Sequence, residues 1–155
     1  MSLTARLAEL GITLPAVPAP LAAYVPAVRS GDVVHTSGQL PFVDGALPAT
    51  GKVGTGPGLV DPAEAARLAR QSALNAVAAA AEAAGGPDHL LGVVKVTGFV
   101  ASDPSFTGQP AVVNGASELL GELFGDAGRH ARSAVGVTVL PMDSPVEVEV
   151  VLRVG

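Results

Sequence analysis

The chain has 155 residues, of which 48% are apolar and only 15% charged, with no cysteine and a net charge of −5. An acidic chain with just two lysines, Lys52 and Lys95, and scattered arginines lacks the basic patch that a nucleic-acid backbone requires. The missing cysteines exclude disulfides, thiolate metal sites and thiol nucleophiles, and no apolar run approaches the roughly 20 residues of a membrane span. In chain order, Leu3, Leu7 and Leu10 predict a short amphipathic helix over residues 2–10, and the prolines that follow predict an extended connector over 11–23. "YVPAVRSGDVVHTSG" predicts two strands around a turn at Arg29-Ser30-Gly31-Asp32. Residues 39–60 are rich in glycine and proline and predict a flexible loop, with a tight turn at Asp44-Gly45. Asp61, Pro62 and Glu64 predict a capped helix start, and Gly85-Gly86 its end. A strand over 89–102, a helix from near Pro110 to Gly125 and two strands flanking Met142-Asp143-Ser144 complete the order ββαβαββ after the N-terminal helix. This order predicts one α+β domain over 1–155, a single mainly antiparallel sheet with both long helices on one face. The composition predicts a soluble, cytoplasmic chain. Its low charge and mean hydropathy of +0.46 fit either a surface partly covered by other subunits or a plain Ala/Val bias.

The candidate chemistry centres on "GRHARSAVGV". Alternation along a strand puts Ala131, Ser133, Val135, Val137 and Val139 on one face, which reads as a core face. His130, Arg132, Ala134, Gly136, Thr138 and Leu140 fall on the other, where one guanidinium stands beside small residues. A guanidinium is always charged and offers a planar fork matched to a carboxylate. Buried without a partner it costs several kcal/mol. Arg132 therefore requires a carboxylate of a neighbouring strand or subunit, a ligand or solvent. Glu147 and Glu149 share one face of "VEVEV". If the last two strands pair as a hairpin, an even loop puts Glu147 on the Arg132 face and an odd loop puts it behind, and sequence leaves both open. The three histidines lack metal-ligand spacing, Ser37 is not in a nucleophile elbow, and "GKVGTGPG" is not a phosphate-binding loop.

"HARSAVGVTVLPMDSPVEVEV" resembles the C-terminal signature of the Rid (YjgF) family, an Ala-Arg-Ser strand, a Leu-Pro turn and a strand of alternating aliphatic residues and glutamates. "YVPAV", "HTSGQLP" and "AVVNGASELL" resemble other family segments in the same order, so the likeness runs from about Pro20 to Val154 and leaves residues 1–19 as an N-terminal extension. The resemblance implies a chorismate-mutase-like fold, a homotrimer with ligand clefts between subunits, and hydrolysis of reactive enamines and imines such as 2-aminoacrylate to a keto acid and ammonia. It implies that Arg132 holds the substrate carboxylate, that Glu147 positions or activates water, and that Tyr24, Ser37, Gly38, Asn114 and Ala134 line the cleft. No cofactor and no metal is implied, because an iminium carbon is already electrophilic. The chain departs from the family where cysteine is common, at Ala134, and where glutamate is common, at Gly136, which implies a pocket with less charge and more room. The rival readings are a non-catalytic trimer that binds small carboxylates and regulates a partner, and the endoribonuclease role under which the family is often labelled.

Overall fold

The computed structural model describes residues 1–20 and 23–155; residues 21–22 of the predicted connector lie outside the described residues. Among the described residues, three α-helices and five strands follow in order, with short 3-10 turns between some of them: α1 (Leu3–Leu10), β1 (Ala27–Ser30), β2 (Val33–Thr36), α2 (Pro62–Ala84), β3 (Leu90–Ala101), α3 (Gln109–Phe124), β4 (Ala131–Val137) and β5 (Val146–Val154). The expected α+β order holds. The strands form one sheet in the order β1-β2-β5-β3-β4. Its neighbours are antiparallel except for β3 and β4, which run parallel because α3 carries the chain back across the sheet. No helix among the described residues is long and apolar enough to cross a membrane.

Both long helices cover one face. The alternation of β5 places Val146, Val148, Val150, Leu152 and Val154 beneath them, fully buried, and leaves Glu147 and Glu149 on the opposite, open face. Val34, Val96 and Val100 extend the same apolar layer across β2 and β3. Asp61 caps α2 by accepting the Ala63 N–H at 2.8 Å, and Gly85 closes it with a left-handed φ of 87°. The expected reciprocal bond from Glu64 does not form, since its carboxylate accepts both Nε and Nη2 of Arg67, one turn on. The Asp44-Gly45 turn forms as expected, between reciprocal Val43 and Ala46 backbone bonds.

Two expectations are corrected. The 39–60 segment is not a free loop: Val53 is fully buried and bridges Val60 and Ser102, so its backbone donors are satisfied against the body of the fold. The two faces of β4 are also reversed. Val135 is 41% exposed and Val139 64% exposed, while Ala134 packs against the core. The parallel pairing sets Arg132 and Ala134 level with Val96 and Gly98, which face the helices. β4 is an edge strand, so its outer face is not buried by a further strand or helix, and Val135 stands on it while Arg132 and Ala134 face α3.

One ion pair ties the helical layer together. Arg70 of α2 gives Nη1 and Nη2 to the two carboxylate oxygens of Glu122 on α3, at 3.2 and 2.7 Å. These bonds hold the Glu122 carboxyl below the usual range, against a smaller opposing effect of burial. A lowered folded pKa means stability that is present above the unfolded value and lost as pH falls through the folded one. The side chains are 39% and 42% exposed, so water and salt screen the pair. Glu122→Gln is expected to cost about 0.5 kcal/mol at pH 7 and low salt. Denaturant melts should show that difference shrinking at high salt and vanishing in acid.

Candidate functional site

Arg132 leaves the inner face of β4 and reaches the first turns of α3. Its Nη1 donates to Asn114 Oδ1 at 2.8 Å and to Ser117 Oγ at 3.2 Å, and Nη2 donates to the Pro110 carbonyl at 3.4 Å. Residues 110, 114 and 117 follow the helical repeat, so one stripe of α3 supplies all three acceptors. No carboxylate among the described residues forms an ion pair with Arg132. Its charge is half-buried and neutralised by neither strand nor helix. With Nη1 donating twice and Nη2 once, Nε–H and an Nη2 hydrogen remain as donors that can meet a carboxylate.

The family departures next to Arg132 also have structural consequences. A Cβ on Gly136 would come within 2.7 Å of Gln109 Nε2, which donates to Ser102 Oγ and the Phe106 carbonyl. The room expected from the missing side chain is therefore taken by the Gln109 amide. Ala134 is a small residue on the same inner face, level with Gly98.

Glu147 stands on the other face of the sheet, directly opposite Phe99 of β3. A reciprocal backbone pair between Gln39 and Val148 brings the end of β2 alongside it. The carboxylate lies over the Gly38 Cα, where a Cβ would overlap Oε1, so a side chain at this position would push the carboxylate aside. Burial raises the Glu147 pKa, and the neighbouring Glu149 charge raises it further. A carboxyl tuned upward is closer to the range useful for proton transfer near neutral pH. Ser37 gives its hydroxyl to the Val25 carbonyl at 2.7 Å and so ties this half to the segment before β1. Tyr24, on that segment, lies outside β1 and is 67% exposed.

Six of the seven sequence-predicted residues thus fall into two groups, and the seventh, Tyr24, stands exposed on the segment before β1. Arg132, Asn114 and Ala134 meet between β4 and α3, and Glu147, Gly38 and Ser37 meet on the open face. The hairpin question dissolves, because β3 lies between β4 and β5 and the two strands never pair. Arg132 is level with Val150, three residues along β5 from Glu147. At about 4.8 Å between strands and about 3.3 Å per residue, their Cα atoms stand about 14 Å apart, on opposite faces. One copy of the chain does not bring them to one ligand. Sequence reasoning passed over Ser117, His130 and Gln109, which shape the Arg132 half. The available signal was positional: His130 shares the Arg132 strand face, and Ser117 follows Asn114 by three residues.

A five-stranded sheet with two long helices on one face defines an α+β protein of chorismate-mutase-like architecture. The chain belongs to the Rid (YjgF) family: residues 4–153 match the family model described as "YjgF/chorismate_mutase-like, putative endoribonuclease". Protein TCP17 of Trypanosoma cruzi is 44% identical over 152 residues, 97% of this chain and 93% of that protein. The 2-iminobutanoate/2-iminopropanoate deaminase of Escherichia coli (strain K12) is 37% identical over 134 residues, 86% of this chain and 89% of that enzyme. Among solved structures, Atu1372 of Agrobacterium tumefaciens, a protein of unknown function, matches with a TM-score of 0.87 at 42% identity, covering 99% of this chain and 94% of that one.

Proposed function

We propose that this protein is an enamine/imine deaminase that hydrolyses small imino acids to 2-oxo acids and ammonia, and that it works as a homotrimer with sites between subunits. The observation that carries the reading is the free Nε/Nη2 edge of Arg132, held by Asn114, Ser117 and Pro110 with no internal carboxylate. Likeness to a named 2-iminobutanoate/2-iminopropanoate deaminase supports the reaction class. The separation of Arg132 from Glu147 supports a shared site, in which the arginine of one subunit and the glutamate of the next face one ligand. Val28 is 55% exposed on the open face and Val135 41%, and a second copy would cover both. Covering the exposed half of each valine would contribute about 0.7 kcal/mol.

In the proposed reaction Arg132 binds the substrate carboxylate and orients the iminium carbon. Water adds its oxygen to that carbon while Glu147 takes a proton from it. The carbinolamine nitrogen takes that proton back from Glu147, the C–N bond breaks as the C=O bond forms, and the hydroxyl proton leaves with the ammonia as ammonium. An imino acid and water give a 2-oxo acid and ammonia, with no redox step. Orientation and one proton relay suffice, because the carbon is electrophilic before it binds.

The test is release of ammonia and keto acid from 2-aminoacrylate generated enzymatically in the same vessel. Wild-type protein is expected to accelerate it well above the spontaneous rate. Tight binding of a carboxylate with no acceleration would replace the proposal with the binding-module reading. The net charge of −5 speaks against RNA as the substrate.

A further inference from the structure

Arg132 is the end of a longer chain of hydrogen bonds. Gly128 is buried against α3, so tightly that a Cβ there would come within 3.0 Å of the Leu120 carbonyl carbon. Its carbonyl lies 2.6 Å from His130 Nδ1. A carbonyl only accepts, so Nδ1 carries the hydrogen. In the imidazole form Nε2 is then the acceptor, and it lies 2.9 Å from Ser117 Oγ. The single Ser117 hydrogen is thereby directed to His130. Its lone pairs are left for Arg132 Nη1, 3.2 Å away. Direction thus passes from a packed backbone carbonyl, through a fixed ring and a fixed hydroxyl, to the guanidinium.

We propose that His130 and Ser117 are positioning residues for Arg132, holding its Nη1 so that the Nε/Nη2 edge is presented to a carboxylate. Without them Nη1 keeps only the half-exposed Asn114 contact, and the guanidinium can turn about its long side chain. The carboxylate contact exists before and during the reaction, so losing its alignment weakens binding more than it slows chemistry. The inference rests on the carboxylate-clamp reading of Arg132, and it reaches two residues outside the seven that the family resemblance points to.

The experiment separates the two ideas. The guanidinium groups are followed by 15N NMR, with Arg132→Lys used to assign the Arg132 signals, and pyruvate is titrated as a non-reactive carboxylate. In wild type, the Arg132 Nη1 hydrogens are expected to exchange slowly with water. Ser117→Ala and His130→Ala are expected to speed that exchange and to weaken pyruvate by about fivefold to tenfold, the scale of one ordinary hydrogen bond. Ser117→Thr keeps the hydroxyl and His130→Gln keeps an acceptor within reach, so both should retain near wild-type exchange and binding. With an imino-acid substrate, KM should rise by the same factor in the alanine variants, with kcat within about twofold. Equal exchange in wild type and Ser117→Ala, or a Ser117→Thr variant as weak as Ser117→Ala, would overturn the positioning role. Ordered Arg132 signals and the expected variant pattern in a protein that releases no ammonia would uphold the positioning role and overturn the deaminase.

Discussion

Arg132→Ala is expected to lower kcat/KM for a carboxylate-bearing imino acid by about 150-fold, which corresponds to about 3 kcal/mol of lost transition-state stabilisation. The loss has two sources. The carboxylate gives up a bidentate, charge-assisted contact, and the iminium carbon is no longer aimed at the water. Arg132→Lys should recover little, since an ammonium is a compact point charge without the planar fork that meets a carboxylate with two parallel bonds. Stability should fall much less than activity, because the guanidinium is half-exposed and sits outside the apolar layer. Steady-state kinetics and a thermal melt on the same preparation check both parts. An Arg132→Ala variant with unchanged turnover would leave the arginine without a role in the chemistry.

Glu147→Gln is expected to reduce kcat by about 100-fold, the usual scale for a positioned acid–base group, with a smaller change in KM. Its geometry adds a sharper test. If Arg132 and Glu147 of different subunits share each site, two inactive variants can repair one another. Arg132→Ala and Glu147→Gln subunits, unfolded together and refolded as a random mixture, should place an intact arginine beside an intact glutamate at about one quarter of the interfaces of a closed ring. About a quarter of wild-type activity should return, while each variant alone stays inactive. No recovery would mean that both groups act within one copy, against their placement on opposite faces. The pH profile is a second check. A carboxyl raised by burial and by Glu149 loses its proton later than an ordinary glutamate. The activity that needs its ionised form should therefore rise with pH through a midpoint above the usual carboxylate value, and Glu147→Gln should abolish that limb.

Much of this architecture was legible in the residues. The caps at Asp61 and Gly85, the turn at Asp44-Gly45 and the alternation of β5 are local features, and each formed where its side-chain chemistry placed it. Arg132 stood out because a permanent charge among small residues demands a partner, and Glu147 because a resemblance pointed to it. The faces of β4 were not legible. Valines in alternation read as a core face, yet β4 is an edge strand whose inner face carries Arg132, Ala134 and Gly136 beside the start of α3, while Val135 is exposed.

The deeper division lies between local and non-local information. Spacing, capping and charge within a dozen residues determined the helices, the strands and the identity of the lone guanidinium, because those features depend on neighbours in the chain. The tertiary structure alone decided that β3 lies between β4 and β5. That choice is set by how the apolar faces of the helices and strands bury together, and no short window of sequence contains it. It places Arg132 and Glu147 on opposite faces, draws His130 and Ser117 beneath the arginine, and divides the candidate site into two halves that a single chain leaves apart.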